Sequence, residues 1–354
     1  MLAVKSGYNE DGFWPSFTER GKPAMLVHSR LLKTVLFLGV RRGEKFYPRA
    51  TGFLVSYMEH GSTFCHLVTA EHVVSGLLSK NEDIYVRGNP LPGLPSKIYK
   101  LPSDNWYFHP KNDEEATDVA VMPFSPNVAG FDFEHIIINQ PDAAVATVEN
   151  LLRDQLMAGP GDEVAIIGLF RSHHGYDHNS PIVRIGNISA WRGDPVLTKY
   201  CGYIDAHLIE ARSVAGLSGS PVFLQLSPVR AVEGNIQVLQ GRQWYLFGLM
   251  HGHFDIKNLN EDVVADSDVG EAVGSVHTGI GVVVPVEKIV ETIVQPELSE
   301  ERRKAAMKHR EENGAVADAA LDLPPSSDAN PNHLADFTRL VDVAARKRPQ
   351  GGQT

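Results

Sequence analysis

The residues best suited to chemistry surround Ser218, in the stretch GLSGSPVFL that runs from Gly216 to Leu224. A serine between two glycines predicts a tight turn, because glycine adopts backbone angles that other residues avoid. The apolar residues that follow predict the start of a buried strand. The turn therefore presents the Ser218 hydroxyl at the edge of a core. Such a hydroxyl becomes a good nucleophile when an imidazole accepts its proton and a carboxylate orients that imidazole.

Two further residues offer these groups at structured positions. His72, in HLVTAEHVVSG, follows a predicted strand that ends near Thr69, and it begins a short helical turn. Asp118, in EEATDVAVMPF, lies where a charged loop becomes an apolar strand, so its carboxylate is expected to be half-buried and able to orient a base. The chain order His72, Asp118, Ser218 is used by chymotrypsin-type proteases and not by subtilisins or α/β-hydrolases. The sequence therefore predicts that the three form a catalytic triad.

The blocks around these residues resemble those of the trypsin-like serine peptidases. LVTAEHVV resembles their T-A-x-H block, DVAVMPF their D-[IV]-A-[VL] block and GLSGSPVF their G-x-S-G-[GS]-P block. The resemblance covers residues 33–294 and fits the cysteine-poor bacterial branch best. It implies that Ser218 is the nucleophile, His72 the general base and then acid, and Asp118 the orienting carboxylate. It also implies an oxyanion hole formed by the backbone N–H groups of Gly216 and Ser218.

The same resemblance bears on specificity. The base of the family's primary specificity pocket falls on Arg212, or on Ser213 or Ala211 if the alignment slips by one residue. The strand that would form a pocket wall carries His251 and His253. These residues are therefore the predicted substrate-binding set. A cationic pocket predicts a glutamate or aspartate before the scissile bond, as in the glutamyl endopeptidases that share the Ser-Gly-Ser-Pro block.

Many short strands must position these residues. Most of residues 30–290 reads as apolar or alternating runs separated by Gly, Pro, Asn and Asp, which predicts an all-β fold. The resemblance specifies two antiparallel six-stranded β-barrels, followed by a C-terminal helix and tail. A second helix is predicted to end at Asn313-Gly314. The predicted organisation is an N-terminal extension at 1–30, a first β-barrel at 31–126, an inter-barrel connection at 127–158, a second β-barrel at 159–285, C-terminal helices at 286–314, and a linker with an amphipathic tail at 315–354.

Composition excludes several other classes of protein. The net charge of −10 disfavours a nucleic-acid partner. The sequence has no apolar stretch of the ~18 residues that a membrane span requires, and charged residues interrupt the first 17, so neither a membrane nor a secretory signal is expected. Two cysteines give neither a disulfide framework nor a cysteine-rich zinc site, which indicates a cytoplasmic protein. We expect no cofactor and no metal ion, because the clusters RSHHGYDHN and MHGHFD lack a metal-binding spacing.

The sequence as a whole predicts a serine endopeptidase that acts on a protein or peptide through an acyl-enzyme on Ser218. Two alternatives remain open on the same fold. One is a protease-like binding module whose cleft or tail engages a partner, and the other is an esterase. The tail carries Phe337 and Leu340 on one helical face, so it is predicted either to dock on a protein partner or to be a disordered end.

Overall fold

The computed structural model describes residues 27–94, 97–112, 115–139, 158–198, 201–211, 216–227, 229–232, 235–238, 244–258, 261–265 and 276–321. Strands predominate in these ranges, so the predicted all-β fold class is confirmed. The chain divides into two compact units, residues 1–306 and 307–354. All the described strands lie in the first unit. The described part of the second unit, 307–321, is helical.

An eight-stranded sheet forms the first half of the larger unit. The strands follow the order β5-β4-β1-β2-β3-β7-β6, and β8 pairs with β2 in parallel. Apolar runs produce this sheet: six successive residues of β1 and seven of β3 are buried. The strands are β1 (Val35–Arg42), β2 (Lys45–Glu59), β3 (Ser62–Thr69), β4 (Tyr85–Gly88), β5 (Lys97–Lys100), β6 (Tyr107–Phe108), β7 (Ala120–Pro123) and β8 (Ile136–Ile137).

A nine-stranded sheet forms the second half, and six of its strands close into a barrel. The closed path runs β17-β14-β9-β10-β13-β19 and returns to β17, because β19 pairs with both β13 and β17. A closed six-stranded barrel is what the resemblance implied for the fold class. The strands are β9 (Glu163–Gly168), β10 (Ile182–Ala190), β11 (Val196–Thr198), β12 (Gly202–Ile204), β13 (His207–Glu210), β14 (Pro221–Gln225), β17 (Trp244–Asn258), β18 (Glu261–Ala265) and β19 (Val276–Pro285), with β15 (Val229–Val232) and β16 (Asn235–Val238) as a separate hairpin.

Five helices complete the described chain. Helix α4 (Val286–Ile293) buries Ile289 and Ile293, which recur at helical spacing in the sequence. Helix α5 continues through Asn313-Gly314, where the sequence predicted its end, because the alanine-rich residues that follow favour a helix and offset the weak helix propensity of one glycine. None of the described helices has the length and hydropathy needed to cross a membrane. The helices are α1 (Ser29–Leu32), α2 (Glu71–Leu78), α3 (Pro126–Ala129), α4 (Val286–Ile293) and α5 (Pro296–Leu321).

Candidate active site

Strand pairing brings His72 and Asp118 to one end of the first sheet. Strands β3 and β7 are antiparallel, and Thr69, the last residue of β3, lies opposite Ala120, the first residue of β7. His72 follows three residues after Thr69, inside the first turn of α2. Asp118 precedes Ala120 by two residues. The two residues therefore meet although 46 positions separate them in the chain.

The Asp118 carboxylate holds His72 at two points. The backbone N–H of His72 donates to Oδ1 at 2.9 Å, and Nδ1 of its ring donates to Oδ2 at 2.8 Å. Asp118 is fully buried, which alone would raise the pKa of its carboxyl. The neighbouring imidazoles of His72 and His251 more than offset this effect and hold the pKa well below its ordinary value. The carboxylate is therefore ionised and fixes the Nδ1–H tautomer of His72.

The turn that carries Ser218 lies at the end of a strand pair in the second sheet. Pro221 at the start of β14 lies opposite Leu249 of β17. One residue further along, Met250 and Ser220 remain paired through the Met250 N–H, which donates to the Ser220 carbonyl at 2.8 Å. Beyond this pair, the turn before β14 brings Ser218 beside His251 of β17. The Ser218 hydroxyl donates to the His251 carbonyl at 3.2 Å and is almost fully buried.

First-sheet atoms hold this turn closely. The backbone N–H of Thr51 in β2 donates to the Ser218 carbonyl at 3.0 Å. Gly219 has φ +78°, and a Cβ at this position would lie 2.3 Å from both the Thr51 carbonyl oxygen and Thr69 Oγ1. Only glycine satisfies both conditions, because other residues rarely adopt this backbone angle and would collide with these oxygens. The glycine after Ser218 therefore lets the two sheets approach each other.

Thr51 also fixes Gly216, two residues before Ser218. Its hydroxyl donates to the Gly216 carbonyl at 2.8 Å and accepts the backbone N–H of Leu169 at 2.9 Å. Gly216 has φ +100°, and a Cβ here would lie 2.8 Å from Cγ of Leu169. The structure thus defines the backbone around the predicted oxyanion hole. No sequence motif identifies Thr51 as part of this arrangement.

His251 makes a contact that no sequence motif indicates. Its Nδ1 is hydrogen-bonded to Asp118 Oδ2, the oxygen that also accepts from His72. The two imidazole rings lie edge to face, with centroids 5.1 Å apart. The resemblance predicted His251 on a pocket wall, and in the structure its side chain lies beside the buried carboxylate of Asp118. The four residues His72, Asp118, Ser218 and His251 therefore form one cluster.

This cluster also brings metal-ligating atoms together. One atom each of His72, Asp118 and His251 lies within 4.8 Å of the other two. A metal ion held by all three would lie about 2 Å from each atom. Both Nδ1 atoms instead direct their N–H groups at a single carboxylate oxygen, so this oxygen would have to withdraw to admit an ion. The geometry is that of two hydrogen bonds.

Of the predicted site residues Arg212, Ser213 and His253, the structure describes only His253. Arg212 and Ser213 lie outside the described residues, so their role in a pocket stays a prediction. His253 is buried in β17, opposite Ala265 of β18. The amphipathic tail predicted at Phe337 and Leu340 also lies outside the described residues.

The histidine-rich loop RSHHGYDHN is anchored to the first sheet. Arg87 of β4 is buried and donates to Oδ1 of Asn179 at 2.7 Å and to the carbonyl oxygen of His174 at 3.0 Å. It donates to the Tyr176 carbonyl as well, at 3.2 Å. Most of the loop's side chains are exposed, whereas the buried guanidinium of Arg87 fixes its backbone. No motif in the loop indicates this contact.

Comparison with known proteins gives distant structural similarities. No protein-family model matches the chain, and no curated protein matches it significantly. The chain is similar to the MamO protease domain from Magnetospirillum magneticum in its apo form, with 17% identity, a TM-score of 0.43, and coverage of 75% of this chain and 97% of that chain. It is similar to the Rv3671c protease from M. tuberculosis in its active form, with 16% identity, a TM-score of 0.36, and coverage of 74% of this chain and 80% of that chain. It is similar to the HtrA-type protease AlgW with a decapeptide, with 16% identity, a TM-score of 0.37, and coverage of 77% and 73%.

All three are proteases by name. At such identities and TM-scores they carry no conclusion about the activity of this chain. The activity is therefore inferred from the site.

Proposed function

We propose that the chain is a serine endopeptidase that hydrolyses peptide bonds through an acyl-enzyme on Ser218. The supporting observation is the buried 2.8 Å hydrogen bond between His72 Nδ1 and Asp118 Oδ2, beside the turn that carries Ser218. This pairing makes Nε2 of His72 the ring nitrogen that would accept the Ser218 proton. The ionised Asp118 would stabilise the imidazolium that then forms.

Acylation begins with a rotation of the Ser218 hydroxyl. A hydroxyl has one proton, and here it is donated to the His251 carbonyl. Oγ must therefore break that hydrogen bond and donate to His72 Nε2. As Oγ bonds to the scissile carbonyl carbon, the proton passes to His72, and the carbonyl oxygen becomes an oxyanion that the N–H groups of Gly216 and Ser218 would bind.

The second half of the reaction reverses these roles. The imidazolium of His72 gives its proton to the leaving amine, and the C–N bond breaks. Water then attacks the acyl carbon, and His72 accepts a proton from it. The oxyanion collapses, Ser218 recovers its proton and the carboxylic acid leaves. Each step uses side chains of this cluster and requires no cofactor.

Active-site labelling tests the proposal. We expect a fluorophosphonate probe to modify the wild type, and both Ser218→Ala and His72→Ala to abolish the reaction. Ser220→Ala is the matched control, because Ser220 lies in the same turn and is equally buried. A wild type that does not react would contradict a hydrolytic role and favour the protease-like binding module.

Substrate assays separate the two enzymatic alternatives. We expect the chain to cleave an unfolded polypeptide, whereas turnover of an ester without any cleavage of polypeptide would favour an esterase. The acidic preference predicted from Arg212 also stays a proposal. Cleavage of a peptide library mainly after lysine, arginine or large apolar residues would contradict it. The cytoplasmic location and the partner of the tail remain predictions.

A further inference from the structure

Two imidazoles converge on the carboxylate of Asp118. Oδ2 accepts from Nδ1 of His72 at 2.8 Å and from Nδ1 of His251, while Oδ1 accepts the His72 backbone N–H at 2.9 Å. His72 thus provides two of the three hydrogen bonds. The third comes from the opposite sheet, because His251 belongs to β17. His251 is almost completely buried, as is Asp118.

We propose that the side chain of His251 is a positioning residue that fixes the Asp118 carboxylate for His72. This inference rests on the proposed function of the cluster. A hydrogen bond to a buried charged acceptor is stronger than one between neutral groups. A donor on β17 therefore restricts rotation of the carboxylate about its Cβ–Cγ bond and keeps Oδ2 directed at the ring of His72.

The surroundings of Asp118 increase the need for such a donor. Glu71, adjacent to His72 on α2, places a carboxylate oxygen within 4.8 Å of an Asp118 oxygen, and Sγ of Cys201 lies within 4.8 Å of both. Two carboxylates at this separation repel each other. Glu71 accepts a hydrogen bond from Ser75, which draws it towards its own helix. A second imidazole on Asp118 opposes the repulsion and keeps the carboxylate in place.

His251 also contacts the nucleophile, but through its backbone. Its carbonyl oxygen accepts the Ser218 hydroxyl at 3.2 Å. This contact survives a substitution of the side chain. Variants of His251 therefore test the contact with Asp118 separately from the contact with Ser218.

Two variants of similar shape provide the test. His251→Asn retains an N–H donor on Cγ, where Nδ1 is attached, whereas His251→Leu fills a similar volume and offers no donor. We expect His251→Leu to lower kcat for peptide hydrolysis by about 10- to 100-fold, with little change in KM. His251→Asn should retain most of the wild-type kcat. A wild-type kcat in the leucine variant would overturn the proposal.

The split between kcat and KM distinguishes positioning from substrate binding. If His251→Leu raises KM and leaves kcat unchanged, the side chain is part of a pocket wall and does not position Asp118. The assays are repeated with EDTA. If chelation changes the wild-type kcat, the cluster binds a metal ion and the hydrogen-bond role is wrong.

Nuclear magnetic resonance provides a readout that does not depend on hydrolysis. The Nδ1 proton of His72 should give a low-field resonance that His72→Ala removes. We expect His251→Asn to preserve this resonance and His251→Leu to shift or broaden it, because the acceptor carboxylate becomes mobile. If the wild type neither hydrolyses peptides nor reacts with the fluorophosphonate, the proposed function fails. The positioning role is then tested by the His72 resonance alone, and an unchanged signal in His251→Leu would overturn it.

Discussion

Replacing Thr51 by valine tests how the first sheet holds the turn that carries Ser218. The two side chains have nearly the same size, so the change removes a hydroxyl and leaves no cavity. In the wild type this hydroxyl bonds the Gly216 carbonyl at 2.8 Å and the Leu169 N–H at 2.9 Å, in a fully buried position. Each buried backbone group that loses a partner costs about 1–3 kcal/mol. We therefore expect Thr51→Val, which leaves two such groups without this partner, to lower the free energy of unfolding by about 2–6 kcal/mol.

Urea denaturation and fluorophosphonate labelling together measure the effect. Thr51→Ser is the matched control, because it keeps the hydroxyl and loses one methyl group, which costs about 1 kcal/mol. Under conditions where both variants are folded, labelling of Ser218 should be slower in Thr51→Val than in Thr51→Ser, since the turn has lost its anchor. The reasoning would be refuted by a valine variant that is as stable as the serine variant and labels at the same rate.

Three further substitutions test other contacts. In urea denaturation, Gly219→Ala should lower the free energy of unfolding by at least about 2 kcal/mol more than Gly61→Ala does. Both glycines have positive φ, but only at position 219 would the added Cβ lie 2.3 Å from oxygen atoms. Equal losses in the two variants would contradict the steric explanation. Burial, aided by the charge of Arg302, lowers the pKa of His66 to about 3. Between pH 6.5 and 3 the folded state therefore binds fewer protons than the unfolded state. The free energy of unfolding should fall by about 1.4 kcal/mol for each unit that the pH falls in this range. His66→Leu should flatten that dependence, and an unchanged slope in urea denaturation would contradict it. Arg302→Met should lower the free energy of unfolding by about 2–4 kcal/mol, because Arg302 is buried and donates to Glu59 at 2.6 Å. Adding Glu59→Gln should restore part of this loss. A larger loss in the double variant would show that the pairing is not the cause.

Local patterns in the sequence predicted much of the fold and the residues of the cluster. Apolar runs such as VLFLGV and VAIIG form strands because they can be buried on both faces. The glycines around Ser218 indicated a tight turn, and Gly216 and Gly219 both have positive φ. His72 and Asp118 were recognisable because each lies beside an apolar strand, in a block that resembles a known family.

Contacts between distant segments could not be predicted in this way. The hydrogen bond from Thr51 to Gly216 spans 165 positions, and that from His251 to Asp118 spans 133. Both depend on which strands pair and in what register, which no local pattern encodes. Arg87 illustrates the same limit, because a single arginine in a short strand gives no sign that it binds a loop of the other sheet.

The hydrogen bonds from β2 to the turn that carries Ser218 have a consequence for dividing the chain. Two polypeptides made by cutting the chain between the sheets would each lack one side of these hydrogen bonds. Under the proposed function, each polypeptide would be inert apart, and activity on mixing would report how well the two reassemble.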